Sequence, residues 1–414
     1  MEQEKLKDKI RGCLIAGAAG DALGYEVEFT SRRTILSRFG EQGITMFALD
    51  NYDKALISDD TQMTLFTANG LLMGLTRGYM RGIGGNPEQY VDFAYLDWYH
   101  TQTRNSNTRA KYTWLRDLSE LNVRRAPGNT CLIACESLIR GEKVVNNSKG
   151  CGGIMRVASL ALLVDGYTLR NKHTYSIRNI IYNIFKRAGY TSRNKHTYSI
   201  EELAKAGGMI AECTHKHPLG FLPASLLTVL LYKIILLPIK QVKEDINDIV
   251  AETLDILNVI YKDKYTEDKE YLKKLTEKVM LLAQSELTDA DAIRQLGEGW
   301  TGEEAWAIAL YCAVRHIDSV EDAIVASVNH DGDSDSTGSI CGNIMGAIYG
   351  YEHIKERNIF CPDGKKLEDT LELSDIILTL ADDLSTGCII SEYNPIDTPE
   401  KRQWYERDCE MKPS

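Results

Sequence analysis

Apolar residues recur at helical spacing along most of the chain, and two stretches put small residues where large ones are usual. From Asp8 to Gly24, helical apolar spacing is combined with Gly12, Ala16, Gly20 and Gly24 on one face. From Asn329 to Gly350, an acidic turn feeds a second such stretch, with Gly338, Gly342, Gly346 and Gly350 at every fourth position. A glycine inside a helix costs about 1 kcal/mol against alanine, so a row of them signals close backbone approach. The spacing predicts two helices that pack together and carry Asp21 and Glu28 toward the acidic turn.

The remaining pattern is also helical. Ile57 to Leu75 places Met63, Phe66, Leu71 and Leu72 on a buried face, with Ser58 as cap and Asp59 and Asp60 in the first turn. Tyr90 to His100 is aromatic and helical. Pro127 and Gly128 make a turn, after which Asn129 and Thr130 are expected to cap the next helix. Gly150, Gly152 and Gly153 are expected to precede a helix holding Met155 and Arg156. Phe221 to Pro238 is nearly all apolar, but Pro223 and Pro238 bracket it and Lys233 interrupts it. That leaves about 15 residues, or ~22 Å against a ~30 Å hydrocarbon core, which predicts a buried core helix. Gln241 to Glu286 reads as amphipathic, solvent-facing helices, and Leu296 to His316 returns to a core pattern. Strand patterns are sparse, so the chain reads as mainly α. GYTLRNKHTYSI and GYTSRNKHTYSI, within 166–200, mark a local duplication, a surface excursion to which we assign no chemistry.

With 414 residues, 43% apolar and 26% charged, the composition is that of an ordinary soluble protein. The formal net charge of −11 argues against a general nucleic-acid surface or an anionic membrane surface. Ten cysteines without a C-x-x-C pair, several within apolar helical pattern, suggest reduced, cytoplasmic usage. The charged N-terminus carries Glu2, Glu4 and Asp8 among its bases, unlike a secretory leader.

The acidic turn supplies the candidate chemistry. Asp331, Asp333 and Asp335 alternate with small residues and are followed by Ser336 and Thr337, with no Lys or Arg among them. Oxygen ligands crowded this way repel one another unless a hard cation sits between them, so a divalent metal is the first expectation. Helix capping alone is the plain alternative. An EF-hand loop fails twice, with Ser336 at its sixth position and Gly342 at its twelfth. Asp333 to Thr337 also fits the D-x-D-x-T pattern of aspartyl-phosphate phosphatases, but Val320, Ile324 and Val328 put a helix where that site needs a strand. The glycines at 150–153 form a weak phosphate signal, and His215 and His217 cannot share one helical face.

GDALGYEVEF, SDDTQMT, APGNTCL, SKGCGGIMRVA, THKHP, GWTGEEAWAIAL and HDGDSDSTG, in this order from Gly20 to Gly338, give the chain a resemblance to the ADP-ribosylglycohydrolase family. The resemblance implies an all-α orthogonal bundle with a binuclear magnesium or manganese centre in a cleft. It covers the chain as one domain, 1–414, leaving outside it the insertion at about 166–200 and a tail after about 350. The implied ligands of the two divalent cations are Ser58, Asp59, Asp60, Asp333, Asp335 and Ser336. Glu28, on a mobile loop, would reach the metals or the bound ribose, and Glu28, Asp60 and Asp333 are the implied catalytic residues. Asn129, Thr130, Gly150, Cys151, Gly152, Gly153 and Met155 would hold ADP-ribose, with His215 near the adenosine. The implied activity is release of ADP-ribose from an ADP-ribosylated protein side chain or small compound, by a monomer. The alternatives are an inactive ADP-ribose-binding relative and a metal-dependent phosphatase. Two departures matter: both hydroxyl ligands are Ser where Thr is frequent, and Glu26 stands where proline is common.

Overall fold

The computed structural model describes residues 2–81, 87–103, 110–163, 199–390, 396–408 and 412–413. Apart from Ser199 and Ile200, the duplicated segment lies outside these residues. In chain order the helices are α1 (Glu2–Tyr25), α2 (Arg32–Phe39), α3 (Asp59–Arg81), α4 (Val91–Thr103), α5 (Asn129–Ile139) and α6 (Ala158–Leu162). After the insertion come α7 (Ile200–Glu212), α8 (Pro218–Ile235), α9 (Ile239–Tyr261), α10 (Thr266–Ala283), α11 (Asp289–Arg294), α12 (Gly302–Arg315) and α13 (Val320–Val328). The chain continues with α14 (Ser334–Tyr349), α15 (Tyr351–Arg357), α16 (Leu367–Thr370), α17 (Ser374–Thr386) and α18 (Pro399–Asp408). The strands among the described residues are β1 (Ala110–Lys111) and β2 (Lys412–Pro413), paired antiparallel, so the fold is all-α as expected.

The centre of the molecule is the seam between α1 and α14, the most extensive helix pairing in the fold. A methyl group added at Gly20 would lie 2.1 Å from the carbonyl oxygen of Gly338, and one at Gly342 would lie 2.1 Å from that of Ala16. No side chain fits between the two backbones, so glycine is required on both sides. Asn343 fixes the register by donating to the carbonyl of Cys13 at 2.9 Å. The seam thereby sets the end of α1, with Asp21 and the Glu28 loop behind it, against the start of α14.

Three expectations about elements change. α3 is buried on every side from Asp59 to Thr76, whereas the sequence pattern showed only one buried face. α8 runs 18 residues from Pro218, with Pro223 inside it instead of before it, at the sixth helical position, where it forgoes one backbone bond. By length and composition α8 could cross a membrane, but most of it is buried within the fold. The segment beyond Gly350 also packs onto the body. Arg11 of α1 donates twice to Asp382 of α17, at 2.6 and 2.7 Å, and Lys7 lies 3.2 Å from the same carboxylate.

Candidate functional site

The starts of α3 and α14 and the loop after α1 converge on one buried cluster of carboxylates. Ser58, Asp59 and Asp60 are at most 5% exposed, and Asp333, Asp335 and Ser336 at most 3%. Ligand oxygens of Glu28, Asp333 and Asp335 all lie within 4.8 Å of one another. Local bonds hold part of the set. The Asp333 side chain caps α14 by accepting from the Ser336 amide at 3.3 Å, and Asp335 accepts from the same amide at 3.0 Å. Ser58 Oγ accepts from the Asp60 amide at 3.2 Å, and Asp59 Oδ2 is 3.4 Å from the Gly128 amide. Capping is therefore present, but Glu28 Oε2 and Asp60 Oδ2 are buried without any hydrogen-bond partner.

The electrostatics are unfavourable as they stand. Burial first, and then the charge of Asp335, pushes Asp59, Asp60 and Asp333 well above the ordinary carboxylate range. The same causes raise Glu28 to about 10 and Asp21 to about 7. Among the described residues, no Lys or Arg forms an ion pair with any of these groups. Buried charges are stable when paired or when they coordinate metals. A donor set of carboxylate and hydroxyl oxygens, with two orphaned oxygens, fits hard divalent cations and gives no soft nitrogen or sulfur preference.

Supporting groups far away in sequence complete the architecture. Asp21 is fully buried and accepts from the amides of Ser58 and Thr61 at 3.1 Å, as well as from the Thr61 hydroxyl. It thus caps α3 from another helix, and its place in GDALG, expected near the acidic turn, had not suggested that role. Glu372 accepts from the Ile57 amide at 3.0 Å while bound to Arg125 at 2.9 Å, and the Arg125 carbonyl accepts from the Asp59 amide at 3.0 Å. Nothing in the local sequence around Glu372 signals this contact. Cys151 donates its thiol to Asp333 Oδ2 at 2.7 Å, which joins the glycine segment to the acidic cluster. Asp331, by contrast, is exposed and accepts from the Arg32 amide at 2.8 Å, so it anchors the loop before α2.

The expected ADP-ribose residues are brought near the cluster with altered local structure. The residue capping α5 is Gly128, and Asn129 and Thr130 lie in the first turn, because Asp59 and the 126–128 turn determine where the helix begins. Thr130 Oγ1 is 3.2 Å from Ser148 Oγ. Cys151, Gly152 and Gly153 form a single 3₁₀ turn preceded by Gly150, and Met155 and Arg156 precede α6 instead of lying in it. Arg156 is fully buried, bonded to the Ile210 carbonyl at 3.1 Å and to the Thr214 hydroxyl at 2.5 Å. Two amides of the glycine segment are already used, Gly150 N by Ser148 Oγ at 3.3 Å and Cys151 N by the Trp300 carbonyl at 3.1 Å. His215 lies beneath this turn, 2% exposed, with Nδ1 2.8 Å from Thr214 Oγ1. A methyl group at Gly152 would come within 3.0 Å of the His215 ring. Burial lowers the His215 pKa to about 3, which favours the neutral imidazole. His217 instead caps α8, accepting from the Leu219 amide at 3.0 Å.

The aspartyl-phosphate phosphatase geometry is absent, since the segment before Asp333 is helix α13 and not a strand. The model of the ADP-ribosylglycohydrolase family matches residues 2–389. ADP-ribosylhydrolase ARH3 of Homo sapiens is 23% identical over 172 residues, 38% of this chain and 47% of the relative. The Bos taurus protein of that name is 29% identical over 100 residues, 22% of this chain and 27% of the relative. This chain thus spans less than half the length of the curated relatives it matches. A solved ADP-ribosylglycohydrolase-related protein complex shares the fold at a TM-score of 0.52 and 18% identity, with 93% of this chain and 99% of that one covered. The match over residues 2–389 shows that the chain belongs to the ADP-ribosylglycohydrolase family.

Proposed function

We propose that this protein is a metal-dependent hydrolase that releases ADP-ribose from an ADP-ribosylated acceptor, a protein side chain or a small ADP-ribosyl compound. The observation that carries this reading is the buried, unpaired carboxylate cluster drawn from two helix starts and the Glu28 loop. Ser58, Asp59, Asp60, Asp333, Asp335 and Ser336 would hold two divalent cations, Mg2+ or Mn2+, whose charge offsets that of the four aspartates and favours binding of the ribose diol.

The chain's own groups then do the following. With the cations bound and offsetting its carboxylate neighbours, Glu28 would be ionised; lying with Asp333 and Asp335, it could help hold the metals and accept a hydrogen bond from the attacking water. As the bond from C1″ to the acceptor breaks, with oxocarbenium character, the water oxygen bonds to C1″ and the acceptor leaves with a proton. The Cys151 to Gly153 turn lies against the cluster through the Cys151–Asp333 bond and is suited to the diphosphate side of the substrate. Asp21 keeps the amides of Ser58 and Thr61 satisfied, so the aspartates of α3 keep their direction.

The test is release of free ADP-ribose from arginine-linked and serine-linked substrates with Mg2+, with Mn2+ and with EDTA. Release that EDTA abolishes is the expected result, and the preferred linkage defines the substrate class. Tight ADP-ribose binding without release would replace this reading with a binding protein, and release of inorganic phosphate would replace it with a phosphatase.

A further inference from the structure

Resting on the reading above, we infer that Phe29 and Trp300 are a positioning pair that seats Glu28 in the cluster. Phe29 follows Glu28 directly and adopts a left-handed backbone, φ +61°, which a bulky side chain rarely takes. This conformation sends Glu28 inward while the neighbouring ring turns outward. The Phe29 ring stacks on Trp300, with centroids 5.2 Å apart and planes 18° from parallel. Phe29 is nevertheless 72% exposed, so core packing does not explain its place.

Trp300 belongs to the 297–301 loop, which together with the start of α12 touches the other parts of the site. The Glu298 carbonyl accepts from the Asp333 amide at 2.8 Å, and the Trp300 carbonyl accepts from the Cys151 amide at 3.1 Å. The Gly302 amide donates to the Lys149 carbonyl at 2.7 Å. The stack thus joins the Glu28 loop to a loop that already fixes Asp333 and the glycine turn. Besides the ring contact, residues 26–30 are held by turn bonds from Val27 and Glu28 to the Gly24 carbonyl and from Thr30 to that of Val27, by burial of Val27 and by the Glu26–Arg38 ion pair, and none of these ties the Glu28 loop to Trp300. A stacked pair contributes enough to shift the seated population about two- to tenfold.

The experiment measures Mn2+ affinity by calorimetry on the full chain without substrate, and kcat and KM for ADP-ribose release, for Phe29→Ala, Phe29→Gly and Phe29→Tyr. Phe29→Ala and Phe29→Gly are expected to weaken Mn2+ binding and lower kcat about two- to tenfold, with KM changed less. Phe29→Tyr, which keeps the stack, should restore both. Glycine accepts the left-handed backbone without strain, so a defect shared by Phe29→Ala and Phe29→Gly and absent in Phe29→Tyr assigns the effect to the ring. The double variant Phe29→Ala with Trp300→Leu should be no worse than the poorer single variant. Unchanged Mn2+ affinity in Phe29→Ala, failure of Phe29→Tyr to restore it, or additive losses in the double variant would each overturn the pairing. A wild type that binds Mn2+ but releases no ADP-ribose would overturn the proposed activity, and the affinity series would still test the pair.

Discussion

Asp60 illustrates the conflict that single residues carry in this site: its Oδ2 is buried without a partner, and burial holds its pKa high. In metal-free protein such a group holds its proton when folded and loses it when unfolded, so its stabilising contribution falls as pH rises from the ordinary carboxylate value. Asp60→Asn should therefore make the metal-free protein more stable at pH 8, by about 1–3 kcal/mol in urea unfolding, while abolishing stabilisation by Mn2+ and cutting ADP-ribose release at least about a hundredfold. Equal stability of variant and wild type, with the Mn2+ effect intact, would remove Asp60 from the ligand set. His215 acts with the opposite sign. Its folded pKa is lowered to about 3 against 6.5 for the free side chain, so the unfolded chain takes up a proton first and stability falls as pH drops through that window. At fixed metal concentration, His215→Gln should flatten the slope of stability between pH 6.5 and 4 by up to about 1.4 kcal/mol per pH unit. At this scale the aspartates were legible because acids without bases are conspicuous in sequence. Cys151 and Asp333, 182 positions apart, and Arg125 and Glu372, 247 apart, left no local pattern to read.

Between elements, the seam of α1 and α14 was legible because both partners show the same four-residue spacing of small residues, and the structure brings them together as expected. Gly342→Ala pushes a methyl group into the Ala16 carbonyl and should cost about 1–3 kcal/mol or more in urea unfolding. Gly128→Ala, where a methyl group meets nothing within 4 Å, should cost about 0.5 kcal/mol or less. The glycines at 150–153 were harder to read, because a 3₁₀ turn held by Trp300 and Ser148 resembles a helix start in sequence. The attachment of α18 could not be anticipated at all. Asp408 lies 1% exposed, accepts from Asn69 Nδ2 of α3 at 3.0 Å and sits 3.2 Å from Arg407. Burial and then Asp383 raise its pKa to about 8, so this attachment weakens as pH rises from about 4 through 8. Asp408→Asn should slow hydrogen exchange in α18 relative to wild type at pH 9, do so less at pH 5, and leave it unchanged below about pH 4.

For the molecule as a whole, helical periodicity was enough to give an all-α fold, but not the arrangement of its helices. The segment after Gly350, expected to be a tail, packs on α1 through Asp382, and the family match extends to residue 389. Sequence spacing could not reveal that contact, since Arg11 and Asp382 are 371 positions apart. If the carboxylate cluster binds Mn2+, the whole fold should gain about 2.7 kcal/mol at a concentration 100 times Kd, read as a rise in Tm that EDTA reverses. The seam also bears on how the chain is made. Tyr25 closes α1 and Ser334 opens α14, so the first helix leaves the ribosome 309 residues before its main partner begins. At about 5–20 residues per second, α1 waits roughly 15–60 s with its apolar face uncovered. Until Tyr349 has been made, the apolar face of α1 can be covered only by something other than α14.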